Sequence, residues 1–99
     1  MKKEKREELY QKAIEKWGAV SQIEMLNEES IELALAVRKF LRNNKNSEYE
    51  FTNATNLIEE IADVEIMIEQ LCYIFTNFRE QIQEVKDFKL QRLEKRINK

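Results

Sequence analysis

An all-α fold is what this sequence predicts: four helices packed as a bundle and completed by further copies of the same chain. Three observations carry that expectation. Proline is absent and only one glycine is present, so little interrupts helix formation. Glu, Lys, Leu, Ile and Gln dominate, and the apolar residues recur at helical rather than strand spacing. One segment, from about Asn53 to Phe75, is apolar on nearly every face, which marks a helix buried on more sides than a small monomer offers. No repeat, linker or low-complexity stretch divides residues 1–99, which suffice for a single domain.

The first helix is expected over Lys3 to Trp17. Leu9, Tyr10, Ala13, Ile14 and Trp17 form its buried side, and Glu4, Glu7 and Glu8 lie near its N-terminal end, where the macrodipole favours acids. Gly18 is its natural C-terminal stop. A second helix runs from about Val20 to Leu41, with Ile23, Leu26, Ser30, Ala34, Val37 and Leu41 turned to a partner. Arg38, Lys39 and Arg42 gather at its C-terminus. Asn43-Asn44-Lys45-Asn46-Ser47 has the composition of an exposed, mobile loop. The third helix starts near Asn53 or Thr55, either of which suits a cap, and Thr76-Asn77 breaks it. A fourth helix, Arg79 to Ile97, carries Ile82, Val85, Leu90, Leu93 and Ile97.

Absent residues narrow the chemistry. Without histidine there is no Ser-His-Asp triad and no His-ligated zinc. One glycine cannot build a phosphate-cradling or dinucleotide-binding loop. A composition 42% hydrophobic and 36% charged fits neither a disordered tail nor a membrane protein, and no apolar run approaches a membrane span. The lone Cys72 lies in an apolar helix and suits a reduced, cytoplasmic setting as a packing residue. What remains is carboxylates, lysines and arginines, a set that favours Mg2+ or Mn2+ acting on phosphate groups.

The carboxylates are unevenly placed. Trp17 to Val37 and Asn46 to Phe78 hold eleven acids and no base, whereas Arg79 to Lys99 holds seven bases against four acids. Within the acidic stretches, Glu29 and Glu32 are spaced i and i+3 beside Met25, Leu33 and Ala36. Glu60 and Asp63 repeat that spacing, with Glu60 between Val64, Met67 and Leu71. Glu24, Glu65 and Glu69 read as ordinary solvated acids, the usual fate of such residues. The two pairs differ, because carboxylates among apolar residues are costly to ionise without a positive partner. A hard divalent cation held between two facing helices would supply one, and an acidic metal site beside a basic helix suits a polyphosphate.

These residues also carry a resemblance. Glu28-Glu29-x-x-Glu32, then Glu60-x-x-Asp63 after residues 33–59, with Lys16-Trp17-Gly18 and Gln22 upstream, resembles the all-α nucleoside triphosphate pyrophosphohydrolases of MazG-like type. The likeness spans roughly residues 10–97, and the family is related to the dimeric dUTPases and to phosphoribosyl-ATP pyrophosphohydrolase. It implies a four-helix MazG-like bundle, assembled as a homodimer or homotetramer. It also implies Mg2+ ligation by Glu29, Glu32, Glu60 and Asp63, with Glu28 supporting the site or orienting water. Ile31 departs from the pattern, at a position often occupied by a small residue.

Other assignments follow charge and placement only. Lys86, Lys89 and Arg92 are either phosphate contacts or solubilising charge. Trp17, Gln22 and Asn27 either line a base pocket or are a core tryptophan and two helix-surface amides. The expectation is Mg2+-dependent hydrolysis of a nucleoside triphosphate, a deoxynucleotide or non-canonical one, to the monophosphate and pyrophosphate. Rival readings are hydrolysis of phosphoribosyl-ATP or another nucleotide metabolite, and a non-catalytic helical interaction module. Binding to a nucleic-acid polymer ranks low, since the basic residues lack a reading motif.

Overall fold

The computed structural model describes residues 1–42 and 47–99, with side chains described for 1–42 and 53–99. Among these residues there are four helices and no strand: α1 Lys3–Trp17, α2 Ala19–Arg42, α3 Ser47–Ile74 and α4 Phe78–Ile97. None of them is long and apolar enough to cross a membrane. The expected loop residues Asn43, Asn44, Lys45 and Asn46 lie outside the described residues. Ser47, by contrast, belongs to α3, which begins well before the expected Asn53 or Thr55. No glycine or proline interrupts the stretch from 47 to 55, and Glu48 and Glu50 suit the positive end of a helix.

Gly18 does two jobs at the first corner. Its N–H donates to the Ile14 carbonyl at 2.8 Å, closing α1, and its own carbonyl accepts from Gln22 N–H at 3.1 Å, opening α2. The residue sits at φ 92°, where a side chain would be strained, so the helix stop requires glycine here. At the last corner Phe78 N–H donates to the Phe75 carbonyl at 3.0 Å, and the two rings stack with centroids 4.8 Å apart.

The helices α2 and α3 make the principal packing, antiparallel along most of their length, and α1 lies against both. Among the described residues, the backbone of α4 packs against α3 alone. Beyond Phe78 and Ile82 its side chains are exposed, including Val85, Leu90, Leu93 and Ile97 of its apolar stripe. That projection explains a radius of gyration of 16.9 Å, against about 13 Å for a compact chain of similar length.

The buried face of α2 also differs from expectation. Gln22, Met25, Glu29, Leu33, Ala36 and Phe40 are turned inward, together with Ile23 and Leu26 at its start. Ser30, Ala34, Val37 and Leu41 are exposed. Two apolar stripes lie side by side on this helix, and α3 covers the one that includes Glu29. On α1, Tyr10 is buried and Ala13 and Ile14 half-buried as expected. Leu9 and Trp17 are exposed, because α1 ends at Gly18 before anything covers the indole. Outer residues of α3, Ile58, Ile61 and Ile66, remain uncovered within one chain, Ile58 at 66% exposure.

Candidate metal centre

α2 and α3 bring the two acidic motifs together. Carboxylate oxygens of Glu29, Glu60 and Asp63 all lie within 4.8 Å of one another. Periodicity dictates this arrangement: Glu29 shares the inward face of α2 with Met25, Leu33 and Ala36, and Glu60 shares that of α3 with Val64, Met67 and Leu71. Glu29 and Glu60 are half-buried, whereas Asp63 and Glu32 sit at the exposed rim. The Glu32 carboxyl nevertheless lies close enough to both inner glutamates for its charge to push them upward. Three of the four expected ligands, Glu29, Glu60 and Asp63, therefore form one cluster, with Glu32 beside it at the rim. Glu28, one residue round the helix from Glu29, is exposed.

The electrostatics of the cluster are unfavourable as it stands. Oε2 of Glu29 and Oε2 of Glu60 are buried without a hydrogen-bond partner among the described residues. Loss of solvation is the largest influence raising both carboxyls above their usual value, and repulsion from Glu32 and Asp63 pushes the same way. Orphaned acceptors of this kind are rare in folded proteins. Carboxylate oxygens from two helices form a hard donor set, of the sort that suits Mg2+ or Mn2+.

Other expected site residues are placed elsewhere. Asn27 lies roughly 200° round α2 from Glu29, on the exposed side. Trp17 is 59% exposed and carries the Lys16 ammonium 5.1 Å from its ring centroid, so it is not a core tryptophan. Gln22 is not a surface amide: Gln70 Nε2 donates to its Oε1 at 3.0 Å, and Gln70 is only 2% exposed. Lys86 and Lys89 line a shallow groove on α4 with Phe78, Gln81, Ile82 and Val85. Among the described residues α4 does not pack against α2, and neither lysine joins the acidic cluster of its own chain.

Two features escaped the sequence. Gln70 is one, and its signal was the seven-residue spacing that carries Asn56 to Asp63 to Gln70 along one face of α3. Glu69 is the other. Arg6 Nε donates to its Oε1, so this acid is not a freely solvated one. With Tyr10, Cys72, Tyr73 and Arg79, that pair lines a cleft of about 460 Å³ between α1 and α3.

Comparison with family models, with curated proteins and with solved structures gave no match. The likeness to the MazG-like enzymes rests on the residues quoted for it.

Proposed function

We propose that the chain is a divalent-cation-dependent nucleoside triphosphate pyrophosphohydrolase of MazG-like type, releasing a nucleoside monophosphate and pyrophosphate. The observation that carries this reading is the convergence of Glu29, Glu60 and Asp63 with two buried, unpartnered carboxylate oxygens. Such a cluster is stable when ionised only beside positive charge, and the acidic stretches of sequence contain none. Glu29, Glu60 and Asp63, with Glu32 at the rim, would hold Mg2+ or Mn2+. A bound cation supplies neutralisation of phosphate oxygens and a lowered pKa for attacking water.

The chain's own residues have distinct parts in this scheme. Glu29 and Glu60, fixed from opposite helices, hold the inner side of the site rigidly. Glu32 and Asp63, at the rim, face arriving phosphates, and exposed Glu28 orients water from outside. Without histidine, proton removal falls to a carboxylate.

Phosphate-binding cations come from a second copy in this reading. Val20, Ile31, Leu35 and Leu41 of α2, Ile58, Ile61 and Ile66 of α3, and Val85, Phe88, Leu90 and Leu93 of α4 are exposed in one chain. Burying such surface contributes about 25 cal/mol per Å². A homodimer or homotetramer would bury it and could bring a neighbour's Lys86 and Lys89 towards the carboxylates. The buried thiol of Cys72 fits the reducing cytoplasm. The test is pyrophosphate release across canonical, deoxy- and oxidised nucleoside triphosphates in Mg2+, with sedimentation of the same sample. We expect release from at least one triphosphate by a species larger than the 12.0 kDa chain. No release from any of them, or from phosphoribosyl-ATP, would turn the reading into a helical interaction module.

A further inference from the structure

The polar residues between α2 and α3 form a ladder rather than a patch. Asn53 Nδ2 donates to the Lys39 carbonyl at 3.3 Å, Glu60 meets Glu32, Asp63 meets Glu29, and Gln70 Nε2 donates to Gln22 Oε1 at 3.0 Å. Descending α2 from Lys39 takes steps of seven, three and seven residues, and ascending α3 from Asn53 takes the same steps. Four polar rungs thus share a single antiparallel register. Buried Ala36 and half-buried Asn56 stand at one intervening place, and half-buried Met25 and Met67 at another.

The intervening Ala36 and Met25–Met67 places leave this register loosely set. Small and flexible side chains such as Ala and Met pack acceptably in several alignments, whereas a buried polar residue fixes one. Meanwhile the four carboxylates repel one another and favour any slip that separates them. A slip of one turn displaces facing residues by about 5.4 Å, more than the present spread of the carboxylate oxygens. Gln70 opposes that slip. The residue is almost wholly enclosed, and a shift of one turn carries Gln22 out of its reach.

From this ladder we infer that Gln22 and Gln70 are positioning residues, a register lock two helical turns from the acidic cluster that holds Glu29 opposite Asp63 within reach of one cation. The inference rests on the metal-site reading and adds to it a pair that touches neither metal nor substrate. Because the lock's value lies in alignment, its removal weakens metal binding without unfolding the helices. Replacing a buried polar pair by apolar residues often leaves stability unchanged or higher, which separates alignment from folding.

The experiment is a Mn2+ titration of the full chain followed by electron paramagnetic resonance, with helix content and Tm measured on the metal-free protein. In Gln22→Leu/Gln70→Leu we expect Mn2+ affinity to fall about 10- to 100-fold, the range for residues supporting metal ligands, while helix content and Tm hold. Gln70→Asn, too short by one methylene to reach Gln22, gives the same loss should the double variant not fold. The pair Gln11→Leu/Tyr73→Phe removes another interhelical bond, the 2.6 Å contact from Tyr73 to Gln11 between α1 and α3, and keeps native affinity. Native Mn2+ binding with undiminished affinity in Gln70→Asn and the double variant overturns the lock alone. An equal loss in the α1–α3 control overturns it too, by showing a general loosening. No Mn2+ binding by the native chain overturns the metal centre, and the lock with it.

Discussion

Two glutamates of α3, nine residues apart, have opposite surroundings. Glu69 faces α1, where Arg6 donates to it, and that hydrogen bond holds its carboxyl below the usual range against the opposing effect of burial. Tyr10 pulls in the same direction. Glu60 faces Glu29 and Glu32 of α2 with Asp63 beside it on α3, and its carboxyl is pushed upward. The chain thus supplies a counter-charge at one carboxylate and withholds it at the other. An acid with its own arginine contributes to the fold; an acid set among other acids in an apolar seam makes sense as a place for an external cation.

The sharpest way to break this comparison is substitution at the two positions. Glu60→Gln keeps volume and removes ligand charge, so pyrophosphate release in Mg2+ should fall roughly 10³-fold with the helices intact. Glu69→Gln should change it by less than about threefold, since Glu69 belongs to the α1 contact. Retained turnover in Glu60→Gln contradicts the assignment.

Acid titration distinguishes the same two sites through stability. Glu29 and Glu60 bind protons more readily in the folded chain than at the ordinary 4.5 of the unfolded one. Between those values the folded state carries more protons, so metal-free stability falls as pH rises through that window. Glu69 has the opposite sign: its contribution is present above the unfolded value and is lost as pH falls through the lower, folded one. Denaturant midpoints from pH 3 to 8 should therefore drop in chelator as pH rises above the unfolded value of 4.5, and Mg2+ should remove that drop. The same series in Glu60→Gln should show a shallower fall.

Smaller effects test the structural half. Arg6→Leu should lower Tm by about 2–5 °C, because the pair is partly exposed and screened by solvent, and should leave Mn2+ affinity unchanged. Gly18→Ala should cost about 1 kcal/mol in chemical denaturation. A Cβ there meets open space, so the cost reports the positive φ alone.

Much of this organisation is legible in sequence, because local signals and helical period govern it. Gly18 and Thr76-Asn77 mark the ends of α1 and α3 to within a residue or so, and the paired acids declare themselves by spacing and by the missing bases. The start of α3 is harder to read, since its first turns alternate polar and aromatic residues without a helical apolar period, yet nothing in them breaks a helix. On α2 the sequence contains two adjacent apolar stripes, and only packing against α3 selects the one that carries Glu29. The Arg6–Glu69 pair joins residues 63 apart in the chain, and no local pattern announces such a contact. Gln22 and Gln70 look like surface amides until the steps along α2 and α3 are laid beside each other.

The most direct measurement is carbon-detected NMR titration of the glutamate side chains, with and without Mg2+. The account predicts that Glu29 and Glu60 titrate above the ordinary carboxylate range in chelator and fall to or below it when Mg2+ is added, while Glu69 titrates low in both. Ordinary titration of Glu29 and Glu60, indifferent to Mg2+, would contradict the claim that this seam is built for a cation.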